Sequence, residues 1–375
     1  MALKTFDEVV MFARTGLNPR NNFKLGNGNN KYITIKNIHN NKLVIDENTD
    51  VVDDDAIELI HKRSQIKKGD ILFCSIGRMG DMFIISEEPA GWDINESVFA
   101  FTVNTDIVRQ KYFYYVFKNR DTIEYLSKNS SGSTFKSIKM NQLKKMVFDL
   151  PTLSEQDQIV DVLDRLSLII KNRENELAKL DELIKARFVE LFGTLNDNEN
   201  GFDVVTIEEV CSLIKDGTHQ TPQYTEDREE GYKFLSSKDV MSQKIDWTDI
   251  KYIPAELHEK LYATIKPQRN DILMSKNGVN YGVAAVNDTD EVFDIYVSLA
   301  LLRPKEMIDP VFFRCVINNP ETKRQFDSSI KGIGVPNLHL GEIKKTKIFL
   351  PPMELQKKFV NFVKQVDKSK FGEGI

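Results

Sequence analysis

The chain has 375 residues, of which 41% are hydrophobic and 29% are charged, and its formal net charge at pH 7 is −5. This composition excludes an intrinsically disordered chain and a collagen-like chain, and the negative charge argues against a protein that coats nucleic acid without specificity. A domain usually has about 100–200 residues, so the length predicts at least two domains. The three cysteines are far apart, and no apolar run reaches the roughly 18 residues of a membrane span. We therefore expect a soluble, cytoplasmic protein without disulfides or a zinc site.

The first 150 residues contain short apolar runs separated by Gly, Asn and Asp, a pattern typical of β-strands. The clearest runs are residues 32–35, 70–73 and 82–85, and residues 111–127 form a helical stretch. We therefore predict a first globular domain that combines short strands with helices.

Two segments of this first region contain basic but no acidic side chains. Residues 9–45 have six Lys or Arg residues, and residues 128–147 have five lysines. Such segments are typical either of a surface that faces DNA or of an ordinary solvated face.

A Leu-Pro pair at 150–151 interrupts the strand pattern, and a long helix is predicted after it. Ser154 and Asp157 have the spacing of a capping box at its start. Ten positions at alternating steps of four and three residues then follow, from Ile159 to Leu191, and eight of them are apolar. This spacing predicts a coiled-coil helix over residues 154–191. Such a helix is about 57 Å long at about 1.5 Å per residue, and we interpret it as a spacer or an interface. The seam positions predicted to contact a partner are Ile159, Leu163, Leu166 and Ile170.

Arg173 and Arg187 occupy the two seam positions that are not apolar. A long basic side chain can extend from the edge of a seam to solvent, and a polar seam residue can instead fix the register of a coiled coil. We favour the first interpretation and keep the fixing of register as the alternative.

The second half of the chain repeats the first. Ordered matches lie 200 or 201 residues apart, as with Asp70-Ile71-Leu72 and Asp271-Ile272-Leu273. Further pairs at the 200-residue offset are Lys144 and Lys344, Lys145 and Lys345, Leu150 and Leu350, Pro151 and Pro351, Gln156 and Gln356, and Val160 and Val360. A period of this length predicts a duplicated domain rather than a solenoid.

The second copy has the same order of parts, with a helical stretch at residues 310–328 and a C-terminal helix. Phe359, Val363 and Val366 align with the start of the long helix, but Lys370 stands where an apolar residue is expected. We expect this shorter helix to run antiparallel to the C-terminal part of the long one, which leaves the seam near Ile159 without an internal partner.

The predicted fold class is α+β, with two repeated globular domains of short strands, a long coiled-coil helix between them and a second, shorter helix at the C-terminus. The predicted divisions are residues 1–150, 151–195, 196–350 and 351–375.

Motifs of catalysis are absent from the sequence. It contains no G-x-x-x-x-G-K-[ST] phosphate loop, no H-E-x-x-H zinc motif and no G-x-S-x-G nucleophile elbow. The three carboxylates at 53–55 lie in an acidic run, and we interpret them as a solvated face rather than a metal site. We expect no cofactor and no metal in this chain.

Four ordered motifs resemble the DNA specificity subunit of Type I restriction–modification systems. They are Asp216-Gly217-Thr218-His219, Phe234-Leu235-Ser236-Ser237-Lys238, Asp271-Ile272-Leu273-Met274-Ser275, and Leu150-Pro151-x-Leu153-x-Glu155-Gln156 before the long helix. The resemblance covers essentially the whole chain. In that family each globular unit is a target-recognition domain that reads one half of a split DNA site, and the helices space the two units and dock methyltransferase subunits.

The resemblance implies that this chain is not an enzyme by itself. Its partners would be double-stranded DNA, two DNA adenine methyltransferase subunits and, in a complete restriction complex, restriction subunits. Sites for S-adenosylmethionine, ATP and magnesium would belong to those subunits. The first copy departs from the family pattern, because it has Thr15-Gly16-Leu17-Asn18 where the second has Asp216-Gly217-Thr218-His219.

Polar and basic residues in the predicted loops are the candidates for DNA contact, since Lys and Arg bind phosphates and Arg, Asn, Gln and Lys read base edges. In the first copy they are Arg20, Asn21, Asn22, Lys24, Arg78, Lys128, Asn129, Ser131, Ser133 and Lys136. In the second copy they are His219, Gln220, Gln223, Tyr224, Lys276, Asn277, Asn280, Tyr281, Lys331 and Asn337. The alternative for each of them is an ordinary turn or helix-cap residue.

Two other functions remain open at this point. A scaffold could use its two modules to bind protein rather than DNA, and a nuclease could use its own carboxylate cluster. DNA binding that depends on salt would distinguish the first alternative, and catalysis by the isolated chain would identify the second.

Overall fold

The computed structural model describes residues 2–132, 135–195, 197–330 and 336–371. The chain divides into two compact units, Met1–Asn172 and Arg173–Ile375. Each unit combines helices with short strands, and the 40-residue helix α6 (Leu153–Phe192) begins in the first unit and ends in the second. The α+β class, the long helix and the shorter C-terminal helix are confirmed, whereas the exact domain boundaries stay predictions.

The first unit is built on a four-stranded antiparallel sheet and three smaller sheets. The large sheet has the strand order β2 (Val10–Thr15), β10 (Val98–Val103), β7 (Ile71–Cys74) and β8 (Met82–Ile84). The small sheets are β6 (Val51–Val52), β3 (Asn30–Ile33) and β9 (Trp92–Ile94); β1 (Ala2–Thr5) and β11 (Val147–Leu150); and β4 (Ile38–His39) and β5 (Lys42–Leu43). The helices that precede α6 are α1 (Phe6–Val9), α2 (Asp54–Ser64), α3 (Gln110–Val116), α4 (Arg120–Lys128) and α5 (Met140–Leu143).

The second unit repeats this plan. Its four-stranded sheet has the order β13 (Cys211–Asp216), β19 (Leu299–Pro304), β16 (Ile272–Ser275) and β17 (Ala284–Val286). Its other sheets are β15 (Lys251–Ile253), β14 (Tyr232–Leu235) and β18 (Phe293–Ile295), and β12 (Asp203–Thr206) with β20 (Lys347–Leu350). Its helices are α7 (Ile207–Val210), a 3-10 turn (Ser237–Val240), α8 (Ala255–Tyr262), α9 (Pro310–Ile317), α10 (Pro320–Ser329), α11 (Leu340–Lys345) and α12 (Met353–Phe371).

Aromatic side chains fill the core of the first unit between its large sheet and α3. Phe6 and Phe101 lie edge to face with ring centroids 5.5 Å apart, and Phe73 meets Phe117 at the same distance. All four rings are fully buried. Edge-to-face contacts of this kind are favourable beyond the burial of apolar area, so they fix the position of α3 over the sheet.

Each predicted helical stretch is in fact a pair of helices. The Asn119 side chain accepts a hydrogen bond from the backbone N–H of Thr122 at the start of α4, and Asn319 does the same for Glu321 at the start of α10. An asparagine cap ends the preceding run because its own backbone is extended. The apolar pattern alone does not show this break.

The predicted capping box at the start of α6 is wrong in its residues. The box is formed by Thr152 and Glu155: the Glu155 carboxylate accepts from the Thr152 backbone N–H at 2.8 Å, and the Glu155 N–H donates to the Thr152 hydroxyl. The cap therefore lies two residues before the predicted one, and the helix begins at Leu153. Asp157 instead accepts two hydrogen bonds from Arg109.

Within the second unit, α12 runs antiparallel to the C-terminal half of α6, as predicted. The Arg173 guanidinium donates to the carbonyl oxygens of Ser369 and Lys370, and the Phe188 and Phe359 rings lie 5.5 Å apart. Arg173 thus caps the last carbonyls of α12, which supports a role in fixing register. The Arg187 guanidinium lies over the Phe362 ring, 5.8 Å from its centroid.

A buried glutamine anchors the first turn of α6 to its unit. The Gln156 amide accepts from the Arg109 N–H and donates to the carbonyls of Ile107 and Pro151. Gln356 makes the equivalent three bonds at the start of α12. Both side chains are fully buried, and every partner is a backbone atom.

Replacing Gln156 with Ala should destabilise the first unit by about 3 kcal/mol, because a buried backbone group left without its hydrogen bond costs roughly 1–3 kcal/mol. For a unit of this size the midpoint of thermal unfolding should fall by about 6–12 °C, which differential scanning calorimetry measures. Gln158, exposed on the same helix, provides the control substitution. Equal stability of the two variants would contradict the anchoring role.

Candidate nucleic-acid interface

A glycine begins the first large loop of each unit. A Cβ on Gly217 would lie 2.1 Å from the Ile295 carbonyl oxygen, and one on Gly16 would lie 1.7 Å from that of Ile94. No side chain fits at these distances, so the loop after β13 is held against the end of β18, and the loop after β2 against the end of β9. This explains the glycine of the Asp-Gly-Thr-His motif and shows that Gly16 is its equivalent.

In each unit a His–Asp pair positions the strand against which this loop is held, β9 in the first unit and β18 in the second. His61 of α2 lies 3.0 Å from the carboxylate of Asp93, and His258 of α8 lies 2.7 Å from that of Asp294. Burial raises the pKa of both carboxyl groups. The sequence pattern did not point to these histidines, although their spacing from the two aspartates is similar in the two copies.

In the second unit, the end of β13 and the loop after β16 meet through one carboxylate. Asp216 accepts a hydrogen bond from the Lys276 ammonium at 2.9 Å, and His219 lies 3.2 Å from the same oxygen. Burial raises the pKa of Asp216, but Lys276 outweighs burial, so the pKa lies below its usual value. The Asp216 carboxylate is therefore ionised at neutral pH and ties the two loops together.

A third loop joins this edge of the second unit. Asn277 and Asn337 form an antiparallel bridge, and the Leu338 N–H donates to the Lys276 carbonyl at 2.8 Å. The candidates at this edge differ in exposure. The exposed ones are His219, Gln220, Gln223, Tyr224, Asn280 and Asn337. Asn277 is half-buried, and Lys331 lies outside the described residues.

Two candidates of the second unit are buried in internal contacts. Lys276 is 4% exposed through its pairing with Asp216, and Tyr281 is 9% exposed. The Tyr281 hydroxyl donates to Asp327, and the Lys323 ammonium lies over its ring. In the described conformation these two side chains hold the loops in place.

In the first unit, the loop after β7 and the loop after α4 come together. The Gly77 N–H donates to the Lys136 carbonyl at 3.0 Å, and Ser137 bridges both Ile76 and Ser131. Beside them lies an open pocket of about 550 Å³, whose lining includes Arg78, Phe135 and Lys136. Arg78, Lys128, Ser131 and Lys136 are exposed here, and Ser133 lies outside the described residues.

The remaining candidates of the first unit lie elsewhere or serve as local caps. Arg20, Asn21, Asn22 and Lys24 are exposed in the separate loop between β2 and β3. The Asn22 amide donates to the Asn18 carbonyl, and that of Asn129 donates to the Tyr125 carbonyl at the end of α4. These two asparagines are therefore ordinary turn or helix-cap residues.

Two exposed apolar residues at these edges were missed by a search for polar side chains. Phe135 is 69% exposed beside Lys136, and Val279 is 82% exposed between Gly278 and Asn280. An apolar side chain in such a position can contact a thymine methyl group. Isolated apolar residues within Gly- and Asn-rich loops are the signal that could have identified them.

The start of α6 presents a row of apolar side chains to solvent. Of the predicted contact positions, Ile159 is 38%, Leu166 49% and Ile170 59% exposed, while Leu163 is half-buried. Val162 and Ile169 extend the row and are 57% and 62% exposed. We call these five exposed residues the apolar stripe. Val162 and Ile169 were missed because the four–three pattern selects one residue per turn.

Among the described residues there is no cluster of three potential metal ligands and no helix long and apolar enough to cross a membrane. Of the acidic run, Asp53 caps α2 by accepting from the Ala56 N–H, and Asp54 accepts from Asn30. Asp53 therefore serves as a helix cap, and Asp54 bonds a neighbouring side chain.

A family model described as the Type I restriction modification DNA specificity domain matches residues 2–181 and 199–372. The MjaIX specificity subunit of Methanocaldococcus jannaschii is 24% identical over 278 residues, which cover 69% of this chain and 62% of that protein. The EcoBI specificity subunit of Escherichia coli is 23% identical over 318 residues, which cover 78% of this chain and 66% of that protein. The chain thus spans slightly less than two thirds of these relatives.

Solved structures show the same fold. The S subunit of a Type I restriction–modification system from M. genitalium has a TM-score of 0.51 and 16% identity, covering 99% of this chain and 90% of that one. A structure from a study of complex assembly and conformational transition of the Type I system has a TM-score of 0.51 and 17% identity, covering 99% and 91%.

Proposed function

The chain belongs to the Type I restriction–modification DNA specificity family, and from this premise we propose that it is the DNA-reading subunit of such a complex. Each unit reads one half of a bipartite target, and α6 connects the two readers. The observation that carries this proposal is the presence of two copies of the specificity domain, each with loops that converge on one edge.

The two edges have the chemistry that DNA recognition needs. In the first unit, Arg78, Lys128 and Lys136 are exposed basic side chains beside the exposed Ser131, and Lys128 also lies 3.5 Å from Glu124 of its own helix. In the second, His219 and Asn337 lie beside loops rich in Gln and Asn. Basic side chains bind phosphates and position a module, whereas amides and guanidinium groups read base edges. Linking two modules makes the second contact intramolecular and raises the affinity for a split site.

We further propose that partner subunits supply the chemistry. The methyltransferase subunits would bind S-adenosylmethionine, and restriction subunits, where present, would use ATP and magnesium. The apolar stripe on α6 is the proposed docking surface, since exposed contiguous apolar side chains mark interaction sites.

Neutralising Lys128 and Lys136 together should weaken binding to all DNA sequences alike. Each phosphate contact contributes about −0.9 to the slope of log affinity against log salt, so the double variant Lys128→Gln, Lys136→Gln should flatten the slope by up to about two units. Fluorescence anisotropy with a labelled duplex at several salt concentrations measures this.

The matched control is Lys67→Gln, Lys68→Gln. It removes the same charge from the segment before β7, outside the loops of the proposed interface. This control should leave the slope within experimental error of the wild type. An unchanged slope in the first double variant would show that Lys128 and Lys136 are merely solvated, and a chain that bound no DNA at any salt concentration would contradict the proposed function.

A further inference from the structure

In the second unit, a tyrosine fills the space between the loop after β16 and helix α10. The Tyr281 hydroxyl donates to the Asp327 carboxylate, and the Lys323 ammonium lies 3.4 Å from the centroid of the Tyr281 ring. Because of these contacts the tyrosine side chain is buried. The second unit thus places an aromatic ring of its own against this helix.

A glycine marks the equivalent place in each of the two loops. Gly80 has a φ of +91°, and a Cβ on it would lie 3.3 Å from the Leu126 side chain of α4. Gly282 has a φ of +90°, and a Cβ on it would lie 3.0 Å from Phe326 of α10, which is 200 positions after Leu126. The residue before Gly80 therefore corresponds to Tyr281, the residue before Gly282.

The first unit has different side chains at these positions. Met79 replaces the tyrosine, and Ile123 and Ser127 of α4 replace the lysine and the aspartate that hold it. The open pocket of about 550 Å³ lies here, which is within the roughly 300–1,000 Å³ of small-ligand pockets. Its apolar lining consists of Met79, Ile123, Leu126 and Phe135. Among the described residues, the space that an aromatic ring fills in the second unit is therefore open in the first.

Positive charge borders this pocket. The Arg78 guanidinium is exposed and has no hydrogen bond or ion pair with any described residue. The Lys136 ammonium lies 3.5 Å from the Ser127 hydroxyl. Asp81, a carboxylate of the lining, is 3.9 Å from the Lys118 ammonium, which offsets its charge. An apolar pocket with an unpaired guanidinium at its edge suits a ligand that joins a flat ring to an anion.

We propose that this pocket, between the loop after β7 and α4, binds one unstacked base of the DNA target, with neighbouring phosphates on Arg78 and Lys136. A nucleotide is a flat ring joined to an anion, and unstacked bases pack on aromatic side chains such as Phe135. The inference rests on the proposed function, because it specifies one contact of the first reader. In the second unit Tyr281 occupies this space, so only one half of the target should supply such a base.

Abasic sites test the proposal. Removing the pairing partner of a base spares the protein the cost of breaking that pair. We expect one position, in one half-site only, at which an abasic partner strengthens binding by the full-length chain at least about tenfold, whereas removal of the base itself gives no such gain. Fluorescence anisotropy competition measures this with duplexes that carry one abasic site at each position of the target in turn. Only this chain is present, so a base drawn out by a catalytic subunit does not contribute.

A variant with a filled pocket provides the second measurement. Met79→Tyr, Ile123→Lys, Ser127→Asp transfers the side chains of the second unit without changing the net charge, and it should lose the gain from the abasic partner. Phe135→Ala should weaken binding to the duplex with the abasic partner at least about fivefold, because a stacking contact is lost. Phe12→Ala is the matched control: Phe12 is also an exposed ring of the first unit, but it lies on β2 and does not line the pocket. This control should bind that duplex as the wild type does.

Three results would overturn the inference: no position that gains from an abasic partner, equal gains in both half-sites, or a gain that the triple variant retains. The first result is also expected if the pocket binds an aromatic side chain of another protein instead of a base. Circular dichroism shows whether each variant retains its helix content, and the measurements on the wild type need no variant. A chain that binds the intact duplex but shows no gain contradicts this inference alone, whereas a chain that binds no duplex contradicts the proposed function as well.

Discussion

Exchanging residues 1–150 for the matching unit of a related specificity subunit should change one half of the DNA target completely and leave the other half unchanged. Each unit has its own sheets and its own core, and the loops that converge on an edge belong to one unit. Each mismatched base pair costs about 1–3 kcal/mol, so a replaced reader should no longer select the original half-site.

The structure also explains why such an exchange should fold. Both β1 and its partner β11 lie within the exchanged segment, and Gln156, just beyond it, contacts only backbone atoms. An introduced unit of the same fold therefore provides the same backbone N–H and carbonyl partners for Gln156 whatever its side chains. The exposed pairs Arg109–Asp157 and Lys111–Asp164, and the hydrogen bond from the Tyr115 hydroxyl to Asp164, depend on side chains of the introduced unit.

The measurement is genome-wide mapping of methylated bases in cells that also carry the methyltransferase subunits. The reciprocal exchange of residues 196–350 is the control and should change the other half-site. If either exchange altered both halves together, the proposal of two independent readers would be wrong.

Replacing Arg303 with Met should destabilise the second unit by about 3–5 kcal/mol, because it leaves a buried carboxylate without its counter-charge. Asp271 is 1% exposed and accepts from two nitrogens of Arg303, each at 2.8 Å. Urea unfolding measures the change. The control is Arg324→Met: this arginine pairs with Glu321 but is 69% exposed, so its loss should cost no more than about 1 kcal/mol.

The first unit suggests a substitution that rescues this variant. There the buried Asp70, just before β7, is paired at 2.7 Å with Arg14 of β2, the next strand but one, and Thr102 of β10, at the position of Arg303, also donates to it. The residue at the position of Arg14 in the second unit is Lys215. The double variant Arg303→Thr, Lys215→Arg should therefore recover more than half of the lost stability. If Arg303→Thr and the double variant were equally stable, the two arrangements would not be interchangeable.

The fold was predictable where one periodicity extends over many residues. The four–three spacing from Ile159 to Leu191 predicted α6, and matches at a fixed offset predicted the duplication. The cap of α6 was misplaced by two residues because both Thr152 and Ser154 precede an acid three residues later, and only the backbone shows which one caps.

The candidate interface was predictable by loop but not by side chain. Lys276 and Arg78 both follow a buried strand and both look free in the sequence, yet Lys276 pairs with Asp216, 60 residues away. The Tyr281 side chain is also buried, and its hydroxyl donates to Asp327, 46 residues away. Such pairings depend on which loops the topology brings together, and neighbouring residues in the sequence carry no signal of them.

The different placement of the arginine in the two sheets restricts how the gene can recombine. A crossover between the two copies that falls between the codons of Arg14 and Thr102 yields one chimaeric sheet with an arginine on both strands and a reciprocal one with an arginine on neither. The sheet with two arginines places two cations on one buried carboxylate. The sheet without arginine has lysine and threonine at the two positions. Recombination within the helix codons keeps each pairing intact, so new combinations of half-sites should arise there rather than inside a reading unit.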